Sequence, residues 1–259
     1  MQDGRDTATA GTCPRGHSNV TTAYRFDVIT LFGEMMRPYF EGSILGRAAV
    51  QGLVSVGYTN PRDFTTDVHR TVDDTPFGGG AGMLMKPEPI ALAVEQVRQL
   101  HSPERVVLMS PSGRVFDQNV AREYAQLDGL ALICGRYEGV DERVARHVAD
   151  EELSIGDFVL TGGELAAMAV IDAVSRMLPG VLGHARGAQE ESFTDAPLLE
   201  FPQFTRPRNW RGHEVPEVLL SGHHSNIDRW RQQQREERTK KRRPDLWRGR
   251  KQTTPSEGT

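Results

Sequence analysis

The chain reads as an α/β domain with a largely parallel sheet, and two observations carry that reading. Short strand-like apolar runs alternate with segments whose apolar residues recur at three- or four-residue steps. Two strand ends, Cys134-Gly-Arg-Tyr-Glu-Gly-Val-Asp-Glu-Arg143 and Ser154-Ile-Gly-Asp-Phe-Val-Leu-Thr-Gly-Gly-Glu164, carry glycines and run straight into helix starts. That pattern suggests a small-molecule pocket at the carboxyl edge of a sheet, where backbone comes close to a ligand.

The elements follow in order. Residues 1–23 are rich in Gly, Thr and Ser and poor in large apolar side chains, so a flexible tail is expected. Arg25–Phe32 is a buried strand, and Val54–Tyr58 another, closed by Asn60-Pro61. Pro87–Leu100 is a helix with Ile90, Val94 and Val97 on one face and Pro87 in the first turn. Arg105–Met109 is a strand, Ser110–Gly113 a turn, Asp117–Leu127 a helix and Leu130–Cys134 a strand. Asp141 caps a helix to Val148, and Phe158–Leu160 is a short apolar strand. Leu165, Met168, Ile171, Val174 and Leu178 mark a helix stopped by Pro179-Gly180. The stretch Gly183–Pro197 is polar and long for a connection inside a compact domain, which makes it a candidate functional segment. Pro202, Pro207 and Pro216 then punctuate an aromatic-rich segment, and Ile227–Gln234 and the Lys240–Arg243 run read as helical and basic. The expected organisation is a tail (1–23), a main domain (24–183), a mobile linker (184–198) and a small second domain (199–259).

At 259 residues, 37% hydrophobic and 25% charged, the composition is that of a globular chain. No apolar run approaches the roughly 20 residues needed to span a bilayer, and no basic-then-apolar leader opens the chain. Two distant cysteines, Cys13 and Cys134, argue against a disulfide framework or zinc site and for a reducing cytoplasm. The net charge of −4 is unevenly spread: Arg229–Lys251 carries 11 Lys/Arg and 3 Asp/Glu, so this end is +8 on a body of −12. A basic end on an acidic body fits a polyanionic partner as well as a solvated helix.

Single motifs are less specific. The loop Pro76-Phe-Gly-Gly-Gly-Ala-Gly-Met-Leu-Met85 could cradle phosphate or admit a base, yet lacks the Lys-Ser/Thr of a P-loop and the dinucleotide fingerprint. Arg176 lies on a helix that otherwise reads as buried, and needs a polar cavity or a carboxylate such as Asp172 at i−4. Near a pocket its guanidinium could stabilise an oxyanion. Asp73-Asp74 reads as a turn or helix cap and His223-His224 as a turn, neither as a metal site. Trp210 and Trp230 could stack on bases or pack a small core. Acidic linker residues such as Glu190-Glu191 are usually just solvated.

Taken together, these stretches resemble bacterial tRNA (guanine-N1)-methyltransferases of the SPOUT, or trefoil-knot, class. The resemblance runs from Arg25 to about Pro244. It rests on Thr66–Asp74, Gly78–Met85, Cys134–Val144, Ser154–Asp157, Ser175–His184, Val215–Gly222 and Arg229-Trp-Arg231, in the family's order. It implies methyl transfer from S-adenosylmethionine to N1 of the guanosine just 3′ of the tRNA anticodon, position 37. It also implies a deep trefoil knot, a mainly helical tRNA-binding C-terminal domain and a homodimer. Periodicity alone carries no sign of a knot, and ordinary connections are unknotted.

The resemblance places the cofactor among Ser110, Pro111, Gly135, Tyr137, Ser154, Ile155, Gly156, Asp157, Phe158, Val159, Leu160, Gly162 and Gly163. It places Glu138 and the loop Gly78–Gly82 at the substrate, and tRNA phosphates along the basic run that includes Arg229 and Arg231. Guanine N1 carries a proton at neutral pH, so a base must remove it and a donor must meet the charge on O6. The resemblance gives the donor as Arg176 and the base as a linker carboxylate, an Asp in the family and Glu191 here, with Glu190 as the alternative. The longer Glu moves its oxygens by roughly 1–1.5 Å for a given backbone position. Any Mg²⁺ is expected with the RNA, since no cage is visible in the sequence. Other readings are a related knotted rRNA methyltransferase and an RNA-binding module that has lost activity. The linker is expected to be disordered without RNA.

Overall fold

The computed structural model describes residues 23–183, 191–194 and 196–250, the side chains of 249 and 250 excepted. Five parallel strands form the main sheet: β1 (Tyr24–Ile29), β2 (Val54–Thr59), β5 (Arg105–Val115), β6 (Gly129–Cys134) and β7 (Glu151–Ser154), in the order β2-β1-β6-β5-β7. Central β6 is buried along its whole length, as expected of a strand covered on both faces.

Side chains alternate between the faces. Phe26, Val28, Val107, Met109, Leu130 and Leu132 join a core with helices α1 (Gly33–Glu41), α2 (Ser43–Val50), α4 (Gln118–Tyr124) and α6 (Glu164–Ser175). Ile29, Val106, Leu108, Ala131 and Ile133 join a second core with α3 (Pro87–His101) and α5 (Glu142–His147). The period of two along the strands thus sorts apolar side chains into two layers of helix packing. Two ribbons lie outside the sheet: β3 (Asp73–Asp74) pairs with β4 (Leu84–Met85), and β8 (Asn209–Trp210) with β9 (His213–Glu214). Helices α7 (His224–Arg242) and α8 (Pro244–Arg250) close the described chain.

Several expectations need correction. Phe158–Leu160 is not a strand: it is loop, with Phe158 and Val159 54% and 89% exposed. The strand feeding that loop is β7, whose Glu151 and Glu152 hid it from an apolar reading. Ser110–Gly113 is not a plain turn but a bulge inside β5, where Met109 and Arg114 share the partner Leu153. Asp73-Asp74 is a strand, and His223-His224 opens α7. Leu165 faces solvent; the buried stripe of α6 is Ala166, Ala167, Val170, Ile171 and Val174. Helices α1 and α2 escaped the sequence reading because Pro38, Gly42 and Gly46 interrupt their pattern.

The tail residues 1–22, linker residues 184–190 (Glu190 among them) and Asp195 lie outside the described residues. Within the described part of the linker Phe193 N donates to Leu198 O at 2.9 Å, and just after it Leu199 N donates to Thr239 Oγ1 at 2.8 Å.

Candidate active site

A cavity of about 220 Å³ opens at the carboxyl edge of the sheet. Its walls come from the start of the β5 bulge (Met109, Ser110, Pro111), the turn after β6 (Gly135–Gly139), the end of β7 (Leu153–Gly156), the loop into α6 (Phe158–Gly163) and Ala166. Of the residues predicted at the cofactor, all but Asp157 line it; Asp157 is exposed beside it. Ligands bind parallel sheets at this edge because the loops there diverge and main-chain groups face the gap.

Gly163 shows why the local sequence is as it is. A Cβ there would meet Cys134 Cα at 2.9 Å and Met109 Cβ at 3.1 Å, so only glycine lets the start of α6 pass so close to the ends of β5 and β6. The contact is fastened by Gly163 N donating to Gly135 O at 3.0 Å. Cys134 beneath is fully buried, which pushes its thiol well above its usual pKa and leaves it inert as a nucleophile.

Arg136 and Glu164, neither singled out from the sequence, pin the same loop. Glu164 is 0% exposed; its Oε1 accepts from Thr30 Oγ1 at 2.8 Å and its Oε2 lies 2.9 Å from Arg136 Nε. Arg136 also donates to Thr161 O at 3.3 Å and lies over the Phe32 ring at 4.5 Å. The available signal was a carboxylate directly after Gly162-Gly163 at a helix start, and an arginine directly after Gly135 at a strand end.

The glycine-rich loop reaches the rim. Gly82 has φ 84°, and a Cβ there would meet Glu138 Oε1 at 2.3 Å; Glu138 N donates to Met83 O at 3.0 Å. Glu138 lines the cavity, whereas Gly78 stands in the open.

Arg176, the C-cap of α6, is hydrogen-bonded and ion-paired through Nη2 to Glu191 Oε1, both side chains about one-third exposed. That hydrogen bond, then the Glu191 charge, raises the Arg176 pKa further. Asp172, the i−4 alternative, instead accepts from Tyr39 Oη. The structure therefore joins the two predicted catalytic residues without placing them on the cavity wall. Twelve residues of α6, about 18 Å, separate Gly163 from Arg176. Beyond them a Cβ on Gly180 would meet the side chain of Leu53, just before β2, at 3.3 Å, so this end of α6 lies at the amino edge of the sheet.

On α7, Arg229 is exposed, while Arg231 is half-buried with its guanidinium 4.6 Å from the Phe201 ring. Trp210 is exposed rather than core, and Trp230 packs near Phe204 at 6.4 Å. Among the described residues no three His, Cys, Asp or Glu side chains converge as a metal-holding group, and no helix is long and apolar enough to cross a membrane.

A parallel α/β sheet with a glycine-walled cavity at its carboxyl edge, and a guanidinium–carboxylate pair held apart from it, is an architecture suited to a small-molecule ligand, followed by a basic helix. Sequence comparison gives the family. The family model described as tRNA (Guanine-1)-methyltransferase TrmD matches residues 24–249. A Dehalococcoides mccartyi protein called tRNA (guanine-N(1)-)-methyltransferase is 57% identical over 223 residues, covering 86% of this chain and 90% of its own. Proteins of the same name from Moorella thermoacetica and Gloeobacter violaceus are 56% and 53% identical, covering 86% of this chain and 89% and 97% of theirs. The chain belongs to the tRNA (guanine-1)-methyltransferase family and is an enzyme of that type, which implies S-adenosylmethionine as methyl donor.

Proposed function

We propose that this enzyme methylates N1 of the guanosine immediately 3′ of the tRNA anticodon, position 37. The observation that carries the reading is the Arg176–Glu191 pair. On the guanine edge the O6 acceptor and the N1–H donor are neighbours. A guanidinium beside a carboxylate offers the matching donor and acceptor. In this account Glu191 takes the N1 proton and Arg176 meets the negative charge that grows on O6. Glu138 and Gly82 guide the base at the cavity rim.

The cavity suits the donor: apolar Ile155, Phe158, Val159 and Leu160 face glycine-exposed main chain. S-adenosylmethionine, when bound, supplies an electrophilic methyl group. The residues of β5, β6 and β7 ends and of Phe158–Gly163 hold it there, in the knotted topology that the family reading implies.

The separation of about 18 Å between the cavity and the Arg176–Glu191 pair along α6 supports a homodimer in which one protomer's pair completes its partner's cavity. Exposed Phe32, Met35, Tyr39 and Leu165 give such a dimer an apolar contact. The region 199–259, with basic α7, is the tRNA-binding domain, Arg229 and its neighbours contacting phosphate. Mg²⁺, where needed, acts with the RNA, and the enzyme works in the cytoplasm. Incubating the protein with labelled S-adenosylmethionine and unmodified tRNA, then digesting to nucleosides, tests this. Label in 1-methylguanosine from position 37 is expected; label at another nucleoside, or none while rRNA supplied in a parallel reaction is labelled, overturns it.

A further inference from the structure

We infer that Arg122 is a positioning residue for methyl transfer, acting through the turn that carries Glu191; this rests on the reading of Glu191 as the base. Arg122 stands on α4, 71 residues before the turn it grips. Its Nη2 donates to two consecutive main-chain carbonyls, Phe193 O and Thr194 O, the latter at 2.6 Å. Its Nη1 is tied back to Asn119 Oδ1 at 2.9 Å, so the guanidinium is held from its own helix.

The gripped segment is a closed turn. Thr194 Oγ1 donates to Glu191 O at 2.9 Å, Phe193 N donates to Leu198 O at 2.9 Å, and Glu200 N donates to Ser192 Oγ at 2.9 Å. Phe193 has φ 67°, a left-handed backbone that an aromatic residue adopts only when its surroundings enforce it. Arg122 holds the carbonyl of the Phe193–Thr194 peptide and the one that follows it. These bonds fix that strained backbone, and with it the backbone two residues earlier from which the Glu191 side chain leaves toward Arg176.

The hydrogen bonds of Arg122 go to Asn119, Phe193 and Thr194 and not to Glu191, so it acts on that carboxylate through the turn. Reaction rates are steep in such geometry: a displacement of 1 Å can cost about 10²-fold. A lysine at 122 keeps a charge and a single nitrogen for the two carbonyls, but lacks the second nitrogen that Asn119 Oδ1 holds in plane.

The test is single-turnover methylation of unmodified tRNA by the full-length protein, with Arg122→Ala, Arg122→Lys, Glu191→Gln and the double variant Arg122→Ala/Glu191→Gln. Arg122→Ala should lower the rate about 10- to 100-fold. The KM for tRNA and the calorimetric Kd for S-adenosylmethionine should stay within about twofold, with Arg122→Lys recovering part of the rate. The double variant should be no slower than Glu191→Gln, because both changes act on one carboxylate. The inference is overturned if Arg122→Ala transfers at the wild-type rate, if its loss lies in the tRNA KM, or if its loss adds in full to that of Glu191→Gln. A silent Arg122→Ala beside a crippled Glu191→Gln would sink this inference and leave the base reading standing. A wild-type rate in Glu191→Gln would sink both. Melting temperatures separate misfolding from mispositioning, and the lysine variant keeps the question open to measurement should alanine unfold the turn.

Discussion

Replacing Gly163 by alanine should deform the donor site by pushing the loop into α6 off the end of β6. Gly163 has φ −76° and ψ −8°, a conformation alanine adopts freely, so the effect is steric and not torsional. The new Cβ would sit 2.9 Å from Cys134 Cα, 3.1 Å from Met109 Cβ and 3.2 Å from Cys134 Cβ. Two of these atoms lie on β6, the fully buried central strand, and cannot retreat. The loop into α6 must therefore move by several tenths of an ångström, away from its hydrogen bond to Gly135 O. Overpacking of this kind costs about 1–3 kcal/mol. Borne by the bound state, that equals about 5- to 150-fold in affinity. Calorimetric titration with S-adenosylmethionine reads it, with Gly183→Ala, where a Cβ meets nothing within 4 Å, as the control. Wild-type affinity and melting temperature in Gly163→Ala would refute the idea that close main-chain passage shapes the cavity.

Other outcomes follow from single contacts. Glu191→Gln keeps a hydrogen-bonding partner for Arg176 but cannot take a proton, so single-turnover methylation should fall by about 10²–10⁴-fold with donor affinity unchanged; an unchanged rate would exclude Glu191 as base. Asp141 caps α5, accepting from Arg143 N at 2.9 Å, and its hydrogen bond to the Arg143 side chain holds its pKa down at about 2. Because the folded pKa is lowered, Asp141 stabilises the protein above about pH 4 and that contribution fades as pH falls toward 2. Asp141→Ala should then cost about 1 kcal/mol at pH 7 in chemical denaturation and less at pH 2.5; an equal cost at both would contradict the linkage. Arg229→Ala should weaken tRNA binding at low salt and reduce the slope of log K against log salt by about 1, whereas an unchanged slope would remove Arg229 from the phosphate contacts.

Local chemistry made much of the fold legible. Strand β6 stands out because it is a short apolar run buried throughout, and helix α3 because its buried residues recur at three- or four-residue steps. Gly162-Gly163 signals close main-chain approach from the sequence alone, and Asp141 announces its helix. Strand β7 stayed hidden because Glu151 belongs to a polar cluster: it accepts from Tyr124 Oη at 2.9 Å and pairs with Arg105 at 3.2 Å and Arg114 at 2.8 Å. Phe158–Leu160 misled in the opposite sense, since exposed apolar residues at a cavity lip look like a strand on paper. The Arg176–Glu191 pairing followed only from family resemblance, and Arg122 from nothing in the sequence, because contacts across 71 residues leave no local trace.

The most direct measurement is complementation between two inactive variants, one with a blocked cavity (Gly163→Val) and one lacking the base (Glu191→Gln), unfolded together and refolded as a mixture. If each protomer's Arg176–Glu191 pair serves its partner's cavity, random pairing gives half mixed dimers with one intact site each, and about a quarter of wild-type activity returns. Activity no higher than the sum of the two variants refolded separately would contradict the shared site.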